Sequence, residues 1–163
     1  MSDDHRITSR KEFMQRAAAA GLTALFFPPL KLFPMDANPQ GVISKPSKYS
    51  VKETIDRLQK ILEGKGVTIF ARIDQRAEAA KVGLELSPIE LLIFGNPKAG
   101  TPLMKAVPLS ALDLPLKALS WQDAEKQVWL SYNSAQYLQQ RFSLPDNVVS
   151  NINVDPVIDL ALQ

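Results

Sequence analysis

Cysteine is absent from all 163 residues, which excludes disulfides, thiolate nucleophiles and thiolate metal sites together. Histidine is nearly absent too, since the only one is His5. Beyond the first few residues there is no imidazole. Histidine general bases, serine triads and His-ligated zinc or haem are therefore lost to the rest of the chain. What remains is carboxylate, lysine, tyrosine or backbone chemistry, with oxygen-ligated Mg²⁺ or Ca²⁺ the metals such residues suit. No cofactor is expected.

The chain also lacks a charge excess of either sign. Its formal net charge is +2, and residues 38–163 hold 14 Lys and Arg against 13 Asp and Glu. A nucleic-acid binder needs a basic stripe to neutralise phosphates, and no basic block is present. Nucleic acid is set aside as a partner.

Long apolar runs are missing as well. The Ala-rich stretch over residues 17–27 falls short of the about 20 residues of a membrane-spanning helix. It fits the apolar core of an export signal, and Pro28 and Pro29 end it. Before it, Ser9-Arg10-Lys11-Glu12-Phe13-Met14-Gln15 resembles the twin-arginine export motif, with Lys11 in place of the second arginine. Met35-Asp36-Ala37 offers a small residue before a cut, behind a large Met. Residues 1–37 are read as a leader, or as an anchor if uncut, of a periplasmic protein. In that reading only this segment touches a membrane. The alternative is a cytoplasmic protein with an amphipathic N-terminal helix.

Residues 38–48, with Pro39, Gly41 and Pro46, read as a linker leading into an edge strand near Val42 and Ile43. Residues 49–163 read as one domain. Ser50 and Glu53 form a capping box, and Val51, Ile55, Leu58 and Leu62 recur at helical spacing until Gly64 and Gly66 stop the run. Residues 67–73 alternate as a strand, with Val67, Ile69, Ala71 and Ile73 on one face. A short Ala-rich helix follows over 76–82. The apolar run at 90–94 predicts a strand buried on both faces. Thr101 to Val107 suits a short helix with Pro102 at its first position. Pro115 marks an edge or an irregular approach to the next strand. Residues 117–121 and 128–132 flank a polar turn and predict a β-hairpin in which Trp121 and Trp129 pair. Helices are expected over 135–142 and 146–152, with a weak one after Pro156. Strands and helices mixed with a late hairpin predict an α+β fold: a two-layer sandwich of a mixed, mainly antiparallel sheet with helices packed on one face.

The segment at 90–104 joins an apolar run directly to Gly95-Asn96-Pro97-Lys98-Ala99-Gly100-Thr101-Pro102. Together with residues 49–58, 70–74, 113–119 and 128–133, it resembles the domain-of-unknown-function 302 family over about two-thirds of the chain. The resemblance implies a compact two-layer domain, often a homodimer, with no assigned catalysis. Two positions depart from the family's habit, since Gln75 and Phe142 stand where relatives tend to carry His.

Gly95, Asn96, Lys98, Gly100 and Thr101 are candidates for an anion site, built from backbone N–H groups, a helix start and one cation. The same residues also suit a tight strand-to-helix turn in which Gly supplies freedom and Asn96 caps. Arg72, Asp74 and Glu90 lie at strand ends, where they form either a shared cleft or ordinary salt bridges. The leading functional reading is a non-enzymatic exported domain that binds a small anionic or amphipathic ligand, or a partner protein, as a homodimer. The alternatives are an enzyme using carboxylates and Lys98, and a purely structural dimer.

Overall fold

The computed structural model describes residues 40–163, apart from the Val148 side chain; the leader expected over residues 1–37 and its export motif lie outside them. The elements run β1 (Val42–Ser47), α1 (Val51–Gly64), β2 (Thr68–Asp74), α2 (Gln75–Lys81), β3 (Ile89–Gly95) and α3 (Pro97–Ala106). After a 3₁₀ turn at Pro108–Leu112 come β4 (Leu116–Gln122), β5 (Val128–Asn133), α4 (Ala135–Phe142) and α5 (Asp146–Val149). A second 3₁₀ turn (Ser150–Ile152) leads into α6 (Asp155–Leu162). The five strands form one sheet in the order β1-β5-β4-β3-β2. Every pairing is antiparallel, so the α+β sandwich holds and the mixed component of the sheet does not.

Helix α1 forms where Ser50 accepts the Glu53 N–H at 3.2 Å, one half of the expected capping box. Its face of Val51, Ile55, Leu58 and Leu62 is buried against the sheet. Each such side chain contributes about 1.5–3 kcal/mol of burial before entropy is counted. Gly66, at φ +72°, carries the chain out of the helix.

Strand β2 departs from its expected alternation. A bulge between Ile69 and Ala71 inserts Phe70 as an extra residue, so the ladder resumes one step out of phase. Ile69 therefore packs into the core, while Arg72 rather than Ala71 or Ile73 shares the helix-covered face with its partner Leu92. Phe70 is left 52% exposed. Strand β3 also corrects its forecast: Glu90, Leu92 and Phe94 are buried, whereas Ile89, Leu91 and Ile93 are half-buried. Helix α1 covers one face only, so the run alternates in burial despite being continuously apolar.

The hairpin of β4 and β5 sets Trp121 opposite Trp129, with ring centroids 6.4 Å apart and planes at 24°. Pro46 is accommodated because β1 is an edge strand. Helix α6 is more central than its sequence suggests. Ile158 and Ala161 are fully buried, and α6 packs along α1. Polar ties hold it: Arg57 Nε donates to Ala161 O at 2.8 Å, Lys45 Nζ pairs with Asp159 at 2.5 Å, and the Tyr132 hydroxyl donates to Asp155. Burial, then the Asp155 carboxylate, pushes the Tyr132 hydroxyl above its usual range.

Two apolar cores result. The larger joins α1, α6 and the sheet through Leu58, Leu92, Phe94 and Leu130. The smaller gathers Leu103, Leu138 and Ile152 from helical turns after β3 and Leu144 from the α4–α5 connection, and Leu116 touches both.

Candidate functional site

Strand β3 ends at Gly95, and the chain turns at once into α3. Asn96 Oδ1 accepts the Lys98 N–H at 2.9 Å, while Asn96 O accepts the N–H groups of Ala99 and Gly100, each at 2.9 Å. Pro97 has no N–H to offer. The amides at the start of α3 are thus already used within the turn, and they are not free to converge on an anion.

What the turn does build is a wall. Between the two cores lies a pocket of about 240 Å³, floored by Phe94 and Leu116 and walled by Gly95, Met104, Pro115 and Val157. Its lining contains no charged side chain and no hydroxyl; the polar members are Asn96, Asn151 and Asn153. Gly95 keeps part of it open. A Cβ there would sit 3.4 Å from Pro115 Cβ and 3.6 Å from Phe70 Cε2, in the space between them.

The candidate residues separate. Gly95, Asn96 and Gly100 line the pocket. Lys98 and Thr101 are exposed on α3 and do not line it. Arg72 and Asp74 lie at the far end of the β2–β3 pair, where Asp74 faces Glu90 across the ladder. Of the two expectations for Arg72, Asp74 and Glu90, a shared cleft or salt-bridged strand ends, the ion pair of Arg72 with Glu90 matches the second, and it lies at the opposite end of the strands from the Gly95 turn.

That far end is an ion cluster. Arg72 grips the Glu90 carboxylate through Nε and, at 3.1 Å, through Nη2, and it reaches Asp56 Oδ1 of α1 at 2.6 Å. The hydrogen bonds that Arg72 donates to Glu90, foremost, and to Asp56 raise the guanidinium above its already high range. Lys52, then Arg72, hold Asp56 below the usual carboxylate range. Asp74 caps α2 by accepting the Ala77 N–H at 2.9 Å. Each carboxylate here has a structural partner. Ser120, opposite Glu90 on β4, is buried with its hydroxyl unpaired among the described residues.

Sequence reasoning missed Phe70, Met104, Asn151 and Asn153 as pocket residues. The bulge that sends Phe70 outward has no composition signal. Asn151 and Asn153 flank the buried Ile152, and that Asn-Ile-Asn spacing before a helix is the one available hint. The two departures also find places. Gln75 opens α2, and Phe142 packs against the smaller core. A wider hollow of about 550 Å³ lies beside Arg76, Leu84 and Glu85, but all its walls are exposed side chains of α2 and the following loop.

Together these features define a small α+β module, one antiparallel sheet backed by helices, with an apolar pocket at the end of its central strand pair. The chain belongs to the family described as domain of unknown function DUF302, whose model matches residues 43–157. A crystal structure of an uncharacterized conserved DUF302 protein from Bacillus stearothermophilus matches the fold with a TM-score of 0.63 at 16% identity, covering 76% of this chain and 97% of that one. Over 104 residues the chain is 44% identical to a protein named fluoride-specific ion channel FluC 1 of Brucella suis biovar 1 (strain 1330), covering 64% of this chain and 41% of that protein. FluC 1 of Brucella abortus biovar 1 (strain 9-941) matches equally, over 38% of its length. The chain spans about two-fifths of the length of these relatives.

Proposed function

We infer that this domain binds a small amphipathic molecule in the pocket at the Gly95 turn, without catalysis. The observation that carries the reading is the uncharged, concave lining between two cores, in a place a packed domain would otherwise fill. Of the two ligand types expected, the anionic one loses its support, because the turn's amides are paired and Lys98 stands outside the lining. Fluoride conduction is named for the Brucella relatives as whole proteins and is not carried over to this domain. The match spans only 38–41% of those proteins, and no helix among the described residues is long and apolar enough to cross a membrane.

The test uses 1-naphthol, a neutral two-ring fluorophore, with the native chain and Gly95→Leu. Gly95 does not occupy the left-handed region, so leucine is compatible with its backbone and fills the pocket instead. The expected result is saturable binding that falls at least about tenfold in the variant, which corresponds to about 1.4 kcal/mol. Equal binding by both chains, or none by the native one, overturns the reading.

Two further parts of the reading concern partners and place. A second copy of the chain is the proposed partner for the sheet face that carries Leu91, Leu119, Trp121 and Trp129, and sedimentation equilibrium with Trp129→Lys tests it. A monomer mass at every concentration removes the dimer. Export by residues 1–37 is tested by fusing residues 1–40 to a reporter that is exported only when folded, with and without Arg10→Gln.

A further inference from the structure

The pocket reading can be narrowed to a ligand class, and the narrowing rests on that reading. Asn96 and Asn153 have both committed their side-chain oxygens to the backbone: Asn96 Oδ1 takes the Lys98 N–H at 2.9 Å, and Asn153 Oδ1 takes the Asp155 N–H at 3.0 Å. What each amide has left is its Nδ2 group, a donor only. Neither Nδ2 meets a protein acceptor among the described residues. Asn151, the third polar side chain, is exposed at the rim, as Asn96 and Asn153 also are.

A carboxylate ligand would lose hydration here without meeting a cation, and an ammonium would bring donors to donors. A plain hydrocarbon would offer the two amides no acceptor and leave them to the water at the rim, whereas a carbonyl would add a hydrogen bond. The size is bounded as well. At about 240 Å³ the pocket exceeds the ~150 Å³ cavity that holds one benzene and falls below the ~300 Å³ at which drug-sized pockets begin.

We propose that the pocket accepts a small neutral molecule with an apolar body and a carbonyl acceptor, such as a ketone, aldehyde or ester, held by the Asn96 and Asn153 amides. The body lies against Phe94, Met104, Pro115 and Val157.

Four probes of similar size separate the possibilities: acetophenone, ethylbenzene, benzoate and benzylamine, titrated into the ¹⁵N-labelled full chain and followed by NMR. The expected order places acetophenone first, about three- to tenfold tighter than ethylbenzene, the margin of one net hydrogen bond. The decisive variants are Asn96→Asp and Asn153→Asp. Each keeps the cap oxygen, since Asp caps as well as Asn, and each deletes the donors. They should weaken acetophenone about three- to tenfold and leave ethylbenzene within about twofold. Tighter binding of benzoate than acetophenone overturns the proposal in favour of an anion site. Equal binding of acetophenone and ethylbenzene, unmoved by the Asp variants, overturns the carbonyl while leaving the apolar pocket standing. If no probe perturbs Gly95, Gly100 or the asparagine amides, and 1-naphthol also fails, the pocket reading itself has failed.

Discussion

The β2–β3 pair has two ends with opposite chemistry. At the Glu90 end, Arg72 is saturated by two carboxylates from two elements, and Asp74 is spent as a helix cap. At the Gly95 end, about 17 Å away along the strand, no charged side chain lines the pocket and Asn96 binds the first amides of α3. The first end uses its functional groups to fix α1 and α2 onto the sheet. The second pairs the first amides of α3 within the turn, beside a pocket whose lining is apolar and open. Reactive residue types gathered in one place thus hold elements together here, and the open pocket lies where those types are missing from the lining.

The largest effect expected from breaking this contrast is Arg72→Ala. Glu90 is buried, with 11% of its side chain exposed, and would lose its counter-charge. Stranding a carboxylate of this kind costs about 2–4 kcal/mol, somewhat below a fully buried pair because Arg72 itself is partly exposed. Urea unfolding should show that loss while 1-naphthol affinity stays within about twofold of the native value. A matching loss of probe binding would mean that the two ends are coupled.

Much of the fold was legible because local signals and burial agreed. Ser50 with the 51–62 stripe and the 117–132 hairpin each combine a cap or a turn with the right period. The misses have definite physical causes. The bulge at Phe70 reverses which residues of β2 face the core, and nothing in Thr-Ile-Phe-Ala-Arg-Ile announces it. Helix α6 has little intrinsic signal, yet it owes its place to Ile158, Ala161 and ties from Arg57 and Lys45, all contacts distant in sequence. The site was half legible. Gly95, Asn96 and Gly100 were singled out for their turn, and the turn does line the pocket. For Arg72, Asp74 and Glu90 a cleft and a salt bridge read alike in sequence, because only the ladder register shows which strand ends meet.

Asn96→Ala comes next, at about 1 kcal/mol, the usual cost of a lost N-cap. It removes the bond to the Lys98 N–H and reopens an amide at the start of α3. Hydrogen exchange should quicken over residues 98–101 and remain unchanged over 68–74. Faster exchange at both ends would erase the separation between them.

A smaller effect, below about 1 kcal/mol, belongs to Asp56, an exposed partner in the cluster. Its folded carboxylate is held low, first by the Lys52 hydrogen bond and then by Arg72, against an unfolded value of about 3.9. The ionised form is the one the fold favours. Its contribution is therefore complete above pH about 4 and is lost as pH falls through the lower folded value. Asp56→Asn should be less stable than the native chain at neutral pH and should flatten the acid limb, so that the two curves converge toward pH about 2. A variant curve that stays parallel to the native one removes Asp56 from the acid response.

The smallest effect is assigned to the residue that drew most attention in the sequence. Lys98 is the one cation within the Gly95-to-Thr101 turn, and as a side chain it invites an anion-site reading. Its structural contribution is made by its backbone N–H, which any residue except proline supplies equally to Asn96 Oδ1. The ammonium itself is exposed and outside the pocket lining. Lys98→Ala should then change stability by less than about 0.5 kcal/mol, the range of a neutral surface substitution. It should also leave the affinities for acetophenone and benzoate where they were, at low and at high salt. A loss confined to benzoate, and relieved by salt, would restore the cation to the site. The backbone N–H groups of Lys98, Ala99 and Gly100 are paired within the turn and the Asn96 amide carries no charge, so a salt-sensitive loss of benzoate would be the signature of the ammonium.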